Sequence, residues 1–362
     1  MSRNRFTGIT SRILMLILAG LQAMTYLSVL VNPSRVWVMT VFGLLFVPVS
    51  LLNAILLAWA LKRRSKAFLI PLLALLPSAF FIGRYVQFPG NSGRRQSASS
   101  EDGGAMDTVS VVTYNVGRFA SSSGMARWQD CADSVALFLK SCDADVICLQ
   151  EFHAESISAL KSFLERKFRG YKAEYYMNIG RRGCFGNVTL SRFPVRNKGV
   201  VSFEKSANMA LYTDYSINGN NIRVYNCHLE SYGLSLAKVV KSLRNHDREF
   251  FRRTEEKFKA SISRRRQQVD QILQDIASSP VEALVCGDFN DNPMSYTYYR
   301  LSRGRSDSFV EAGSGFGATY AFLWPMLRID YVLYPERFRG IWHKTFKIKY
   351  SDHYPVAADV LI

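Results

Sequence analysis

Six short polar clusters close apolar runs in this chain: Tyr114-Asn115, Gln150-Glu151, His228-Leu229-Glu230, Gly287-Asp288-Phe289-Asn290, Arg328-Ile329-Asp330 and Ser351-Asp352-His353. Together they offer carboxylates, carboxamides and two imidazoles at the ends of strand-like segments. Strand ends that meet at one rim of an α/β sheet are the usual place for a ligand. Hard oxygen donors without clustered Cys or His favour Mg²⁺, Mn²⁺ or Ca²⁺ over zinc. Magnesium is commonly held by one or two carboxylates plus substrate phosphate, so a phosphoester suits this donor set. Taken singly, Asn115 reads as a turn residue, Glu151 as a solvated strand end or cap, and Gly287 to Asn290 as a turn. Their shared placement after hydrophobic runs turns these bland readings into one site.

The elements that would position these groups follow an α/β pattern. Strand-like runs cover 109–116, 145–149, 187–190, 199–203, 210–217, 221–229, 283–285, 329–333 and 356–362. Helical spacing covers 125–140, 154–168 and 236–276. Asn218-Gly219 between two strands marks a hairpin. Adjacent hairpins interspersed with crossovers predict mixed rather than purely parallel sheets.

The first hundred residues differ in kind. They hold 11 of the 46 Lys and Arg and none of the 29 Asp and Glu. Apolar runs at 13–31, 36–61 and 67–83 approach or exceed the roughly 20 residues that cross a bilayer, so three spans are expected at about 13–31, 36–61 and 67–86. Basic residues precede the first run and fill 62–66, which puts both in the cytoplasm and everything after residue 88 on the outer side of a cytoplasmic membrane. Residues 1–88 thus read as a membrane anchor, 89–107 as a Gly/Ser-rich flexible linker, and 108–362 as a catalytic domain. With 48% hydrophobic and 13% aromatic residues the chain is not disordered, and six Cys in 362 residues are too few for a disulfide-stapled fold. No feature calls for an obligate protein partner.

The motifs themselves carry a resemblance. Thr113-Tyr114-Asn115-Val116, Leu149-Gln150-Glu151, Leu190-Ser191-Arg192-Phe193-Pro194, Cys227-His228-Leu229, Gly287-Asp288-Phe289-Asn290, Arg328-Ile329-Asp330-Tyr331 and Ser351-Asp352-His353-Tyr354-Pro355-Val356 run in order through 108–362. This resembles the endonuclease/exonuclease/phosphatase superfamily, the DNase-I-like metal-dependent phosphoesterases. The resemblance implies a four-layered α/β sandwich of two mixed sheets flanked by helices. It implies Glu151 as the main carboxylate for Mg²⁺ (or Mn²⁺), with Asn115 and Asp352 completing or orienting the metal site. His353 would be the general base, near its ordinary pKa of about 6.5, and Asp330 would fix its tautomer. Asp288 would hold the attacking water, Asn290 would donate to phosphoryl oxygens, and His228 would stabilise the transition state or protonate the leaving oxygen. A His at 228, where abasic-site endonucleases of the superfamily usually carry Tyr, points toward DNase-like nucleases, bacterial sphingomyelinases and inositol-phosphate phosphatases.

Three functions follow as expectations. The first is a membrane-anchored, nuclease-like phosphodiesterase acting on nucleic acid. The second is a phospholipid phosphodiesterase, sphingomyelinase-like, or a phosphatase on the same fold. The third is a non-catalytic membrane scaffold, which would have no use for a full set of acid, base and metal residues. The stretch 238–266, with 11 Lys and Arg and a net charge of +7, is expected either to touch phosphates or to form a solvated helix face.

Overall fold

A computed structural model of the chain describes residues 2–88, 107–119, 128–204, 206–233 and 248–362. The expected linker, apart from Asp107, and the expected helix segments 125–127 and 236–247 lie outside the described residues. The chain starts with helices α1 (Ser2–Leu27), α2 (Val38–Leu44), α3 (Phe46–Lys62), α4 (Leu69–Leu75) and α5 (Ala79–Ile82), followed by a short strand, β1 (Val86–Gln87). Next come β2 (Thr108–Asn115), α6 (Trp128–Ser141), β3 (Val146–Ala154), α7 (Ile157–Lys167), β4 (Lys172–Gly180), β5 (Gly183–Ser191), β6 (Val195–Ser202), β7 (Met209–Ile217) and β8 (Asn220–His228). The rest comprises α8 (Arg248–Ser278), β9 (Glu282–Asp288), α9 (Tyr296–Ser302), β10 (Arg305–Asp307), α10 (Ser308–Ala312), β11 (Gly315–Phe316), β12 (Asp330–Pro335), β13 (Arg339–Thr345) and β14 (Val356–Leu361).

Two mixed six-stranded sheets face each other, ordered β13-β14-β2-β3-β5-β4 and β10-β12-β9-β8-β7-β6. One pair in each is parallel, β2 with β3 and β8 with β9. Val109, Val111, Val146 and Cys148 of the first sheet pack against Ile222, Val224, Leu284, Cys286 and Val332 of the second. The opposite face of the first sheet is covered by α6 and α7, where Cys131, Val135 and Leu139 recur at helical spacing. Helices α8 and α9 cover the second sheet through Val269, Ile272, Tyr298 and Leu301. Strands buried on both faces read as continuous apolar runs, which is why they were legible. Edge strands β4 and β13 keep exposed, polar positions and escaped that reading.

The N-terminal helices depart from three straight spans. Among the described residues, only Ile9–Leu27 is an unbroken apolar helix long enough to cross a bilayer. The expected second span is bent by 58° where α2 meets α3. Residues 66–82 form an apolar helical stretch too short by the same measure, in which α4 gives way to a tighter turn at Pro77 before α5. Within the unit Gln22 Nε2 donates to Ser50 Oγ at 3.0 Å, the Tyr26 and Ser78 hydroxyls lie 2.7 Å apart, and Asn53 Nδ2 donates to the Leu18 carbonyl at 3.2 Å.

Candidate active site

Strand register brings the polar clusters to one rim. In the second sheet Asp330 pairs with Asp288 across β12 and β9, and His228 pairs with Asp288 across β8 and β9, so three strands end level. In the first sheet Asn115 pairs with Gln150. A bulge between Leu149 and Phe152 interrupts the β3–β5 ladder, and Glu151 sits there with φ of 51°. Such bulges re-aim a side chain, here the Glu151 carboxylate toward the rim. Asn290 also has a positive φ, 53°. Gly287 must be glycine: with φ of 131°, an added Cβ would stand 2.0 Å from the Cys227 carbonyl oxygen of β8.

The groups form a connected series. His353, on the loop before β14, donates from Nδ1 to Asp330 Oδ2 at 3.0 Å, and its Nε2 stands 3.8 Å from Asp288 Oδ2. Asn115 Nδ2 donates to Asp288 Oδ2 at 2.9 Å and to Glu151 Oε1 at 3.4 Å. His228 Nε2 lies 3.5 Å from Glu151 Oε1 and 3.9 Å from Asp288 Oδ2. Asn290 gives its side-chain N–H groups to the Leu229 carbonyl at 2.9 Å and to Asp288 Oδ2 at 3.1 Å. Both of its donors are thus turned onto protein acceptors, so Asn290 braces Asp288 rather than presenting a free donor to a phosphoryl group. Asp352 is exposed at the outer edge, its Oδ1 accepting from Ser351 Oγ at 3.2 Å.

Electrostatics changes the expected state of His353. Burial disfavours its charged form, but Asp330, Asp288 and Asp352 outweigh burial and raise its pKa to about 10 rather than leaving it near 6.5. Burial and the neighbouring Asp330 push the Asp288 carboxyl up to about 6, against the attraction of His353 and His228. Two buried carboxylates therefore share one imidazole, an arrangement short of positive charge. Asp288, Asp330 and His353 offer ligand atoms within 4.8 Å of one another, and Glu151 adds an oxygen donor beside Asn115. This oxygen-rich, negatively charged set fits a hard divalent cation.

Three residues escaped the sequence reading. Arg118 Nε lies 3.5 Å from Glu151 Oε2 and its guanidinium covers the Phe185 ring at 4.8 Å. An arginine directly after Gly117 was the available signal. Asn226 ties the sheets together beneath the rim, accepting from Gln150 Nε2 at 2.8 Å and donating to the Val188 carbonyl at 3.0 Å. Arg265 is buried, donating to the Glu230 carbonyl at 2.7 Å and lying 2.9 Å from Asp291 Oδ2. It came from the basic stretch, where six of the eight described Lys and Arg form ion pairs, namely Arg252, Arg253, Lys259, Arg264, Arg265 and Arg266.

Two facing mixed sheets with helices outside, and carboxylates and imidazoles gathered at one rim, define a DNase-I-like phosphoester hydrolase. A family model described as the Endonuclease/Exonuclease/phosphatase family matches residues 112–353, and the chain belongs to that family. A second model, described as a domain of unknown function, matches residues 8–85. Among solved structures, an endonuclease/exonuclease/phosphatase from Beutenbergia cavernae is similar at 18% identity, covering 70% of this chain and 72% of that one, with a TM-score of 0.54. One from Bacteroides vulgatus is similar at 16% identity, covering 71% and 99%, also with a TM-score of 0.54. A D. rerio TDP2 humanized by 14 mutations is similar at 16% identity, covering 70% and 99%, with a TM-score of 0.51. No curated protein matches.

Proposed function

We propose that the chain is a membrane-anchored phosphodiesterase that needs a divalent cation, Mg²⁺ or its close substitute Mn²⁺. The observation that carries this is the His353 imidazole, held through Nδ1 by Asp330 with Nε2 turned toward Asp288. In this reading Nε2 takes a proton from water lodged beside Asp288, and Asp330 keeps the ring in the tautomer that can accept it. His228, within reach of both Glu151 and Asp288, donates to the phosphoryl or leaving oxygen. Asn115 and Asn290 keep the carboxylates aimed by hydrogen bonds. Glu151 would hold the ion, with Asn115 orienting its carboxylate and Asp352 at the edge of the site; when bound, the ion neutralises charge that builds up on the phosphate. Positive charge near the carboxylates also opposes protonation of His353, which a general base requires at neutral pH.

The membrane part of the reading rests on an inverted distribution of polarity. Gln22, Thr25, Asn53 and Ser78 are buried inside the helical unit, whereas Ile13, Leu16, Leu51, Ile55, Leu73 and Phe80 are exposed on it. Polar groups inward and apolar groups outward suit a bilayer. Residues at both ends of the expected outer side meet the catalytic domain: Trp37 contacts Phe258 with ring centroids 6.0 Å apart, and Arg84 donates to the Pro293 carbonyl at 3.1 Å. This is consistent with a catalytic domain on the outer face of the cytoplasmic membrane. Nucleic acid and phospholipid both lie within this chemistry. Among the described residues 248–266, the buried pair of Arg265 with Asp291 takes that cation away from any nucleic-acid backbone.

The test is hydrolysis of a soluble diester, bis(p-nitrophenyl) phosphate, by the full chain in detergent. Turnover that depends on added Mg²⁺ or Mn²⁺ and stops with chelator is expected; turnover indifferent to chelator would end the proposal.

A further inference from the structure

We infer that the segment 315–327 is a lip that rests on the membrane surface and directs the active site to phosphoesters carried by lipids; this inference rests on the phosphodiesterase reading above. The segment is apolar and exposed, with Phe316 48%, Phe322 69%, Trp324 40% and Met326 39% accessible. It continues the apolar surface of the N-terminal helices. Helix α5 ends with Phe80 and Ile82 exposed, and within a few residues β1 pairs with β11, Val86 opposite Phe316. The Tyr85 carbonyl accepts from Gly317 N at 2.9 Å, and the Phe316 and Trp324 rings are 5.6 Å apart. Chain leaving the apolar helices is thus stitched directly to the lip, which puts the lip where a bilayer surface would be. Lys347 Nζ lies 4.0 Å from the Trp324 ring, and aromatic rings beside basic groups suit the headgroup zone.

The same segment touches the catalytic base. The Tyr320 ring packs edge-on to His353 with centroids 5.4 Å apart, Ala321 N donates to the Asp352 carbonyl at 2.8 Å, and Tyr354 N donates to the Thr319 carbonyl at 2.7 Å. Thr319 Oγ1 accepts from Ile329 N and Asp330 N, at 3.0 and 3.1 Å. A lipid whose headgroup emerges beside the lip would therefore bring its phosphorus to His353 without leaving the membrane. Water would add to that phosphorus, one P–O ester bond would break, and the departing oxygen would take a proton. With a diester, the products are an alcohol and a phosphomonoester.

A matched pair of substrates tests this: hexadecyl p-nitrophenyl phosphate dissolved in the bilayer, and ethyl p-nitrophenyl phosphate in solution. The full chain would be reconstituted with Mg²⁺ in phosphatidylcholine/phosphatidylglycerol vesicles. The hexadecyl ester should be hydrolysed faster by tenfold or more. Phe322→Asp, at a freely exposed position, should slow it by about tenfold, since burying one aromatic side chain is worth roughly that factor or more. The ethyl ester rate should stay within about twofold. Equal wild-type rates on the two esters, or cleavage of a DNA oligonucleotide without preference for the hexadecyl ester, would overturn the inference and leave the phosphodiesterase reading intact. So would a Phe322→Asp chain as fast as wild type on the hexadecyl ester. Hydrolysis of neither ester would instead sink the phosphodiesterase reading.

Discussion

The side-chain amide of Asn292 donates a 2.9 Å hydrogen bond to the main-chain carbonyl of Gly43, 249 positions earlier. Asn292 lies two residues beyond Asn290, so the N-terminal helices hold the chain that leaves the catalytic loop. Ser28 Oγ adds a 2.7 Å contact to the Met294 carbonyl, and Val29, Phe46, Tyr85 and Met294 form a small apolar core at the junction. The bend between α2 and α3 accompanies this contact, with α2 laid against the 292–294 loop. The helical unit is therefore a supporting wall of the site as well as a candidate anchor.

Gly43→Ala should expose that support. Its Cβ would stand 2.4 Å from the Met294 carbonyl oxygen and 2.9 Å from Ser28 Oγ, so main chain must shift. Displacing catalytic groups by about 1 Å can cost up to about a hundredfold, so kcat on a soluble diester should fall roughly ten- to a hundredfold. Gly20→Ala, with nothing within 4 Å of the new methyl, should leave kcat unchanged. Equal kinetics for both variants would show that the contact does not govern the loop.

Removing the proposed base should be more severe. His353→Ala is expected to reduce kcat by about 10²–10⁴, the usual worth of a positioned general base. Asp330→Asn should cost a comparable factor, because an amide does not anchor the Nδ1–H as a carboxylate does. Circular dichroism should remain native in both. A His353→Ala chain with wild-type turnover would exclude it as the base.

Glu151→Gln tests the ion site by a readout other than turnover. A cation that binds only the folded chain raises stability, by about 2.7 kcal/mol at a hundred times its Kd. Added Mg²⁺ should therefore raise the melting temperature of the wild type and leave that of Glu151→Gln little changed. The same rise in both would place the ion elsewhere.

His343 should make folding stability depend on pH. Burial, opposed by Asp307 and aided by Arg328, holds its pKa down at about 3, and Ser308 Oγ lies 2.8 Å from its Nδ1. Between about 6.5 and 3 the unfolded chain takes up a proton that the native chain refuses. Its contribution is therefore complete above pH 6.5 and declines by up to about 1.4 kcal/mol per pH unit below it. The melting temperature of the wild type should fall more steeply from pH 6.5 to 4.5 than that of His343→Asn. Parallel curves would show that His343 titrates normally.

Most of the sandwich and all of its rim clusters were legible in the sequence. Central strands covered on both faces are apolar without interruption, and polar residues that end such runs stand out. Edge strands such as β4 and β13 were missed because their exposed face breaks that pattern. The basic stretch stayed open between two readings for a related reason: charge is visible in a sequence, but its partners are not. Arg265 counts as one more cation until the fold sets it on the Glu230 carbonyl and against Asp291.

Residue types by themselves pointed to a site for a hard divalent cation, which a phosphoester suits, and the ordered motifs added the family resemblance. Tertiary structure decided how those groups act on one another. It raised the pKa of His353 by setting carboxylates around it against the opposing effect of burial, turned Glu151 onto the rim at a bulge, and committed Asn290 to bracing Asp288. It also set the helical unit against the 292–294 loop and the segment 315–327 beside His353. Each of these depends on distances between segments far apart in the chain, and Coulomb forces and hydrogen bonds act through space, whatever the spacing along the backbone.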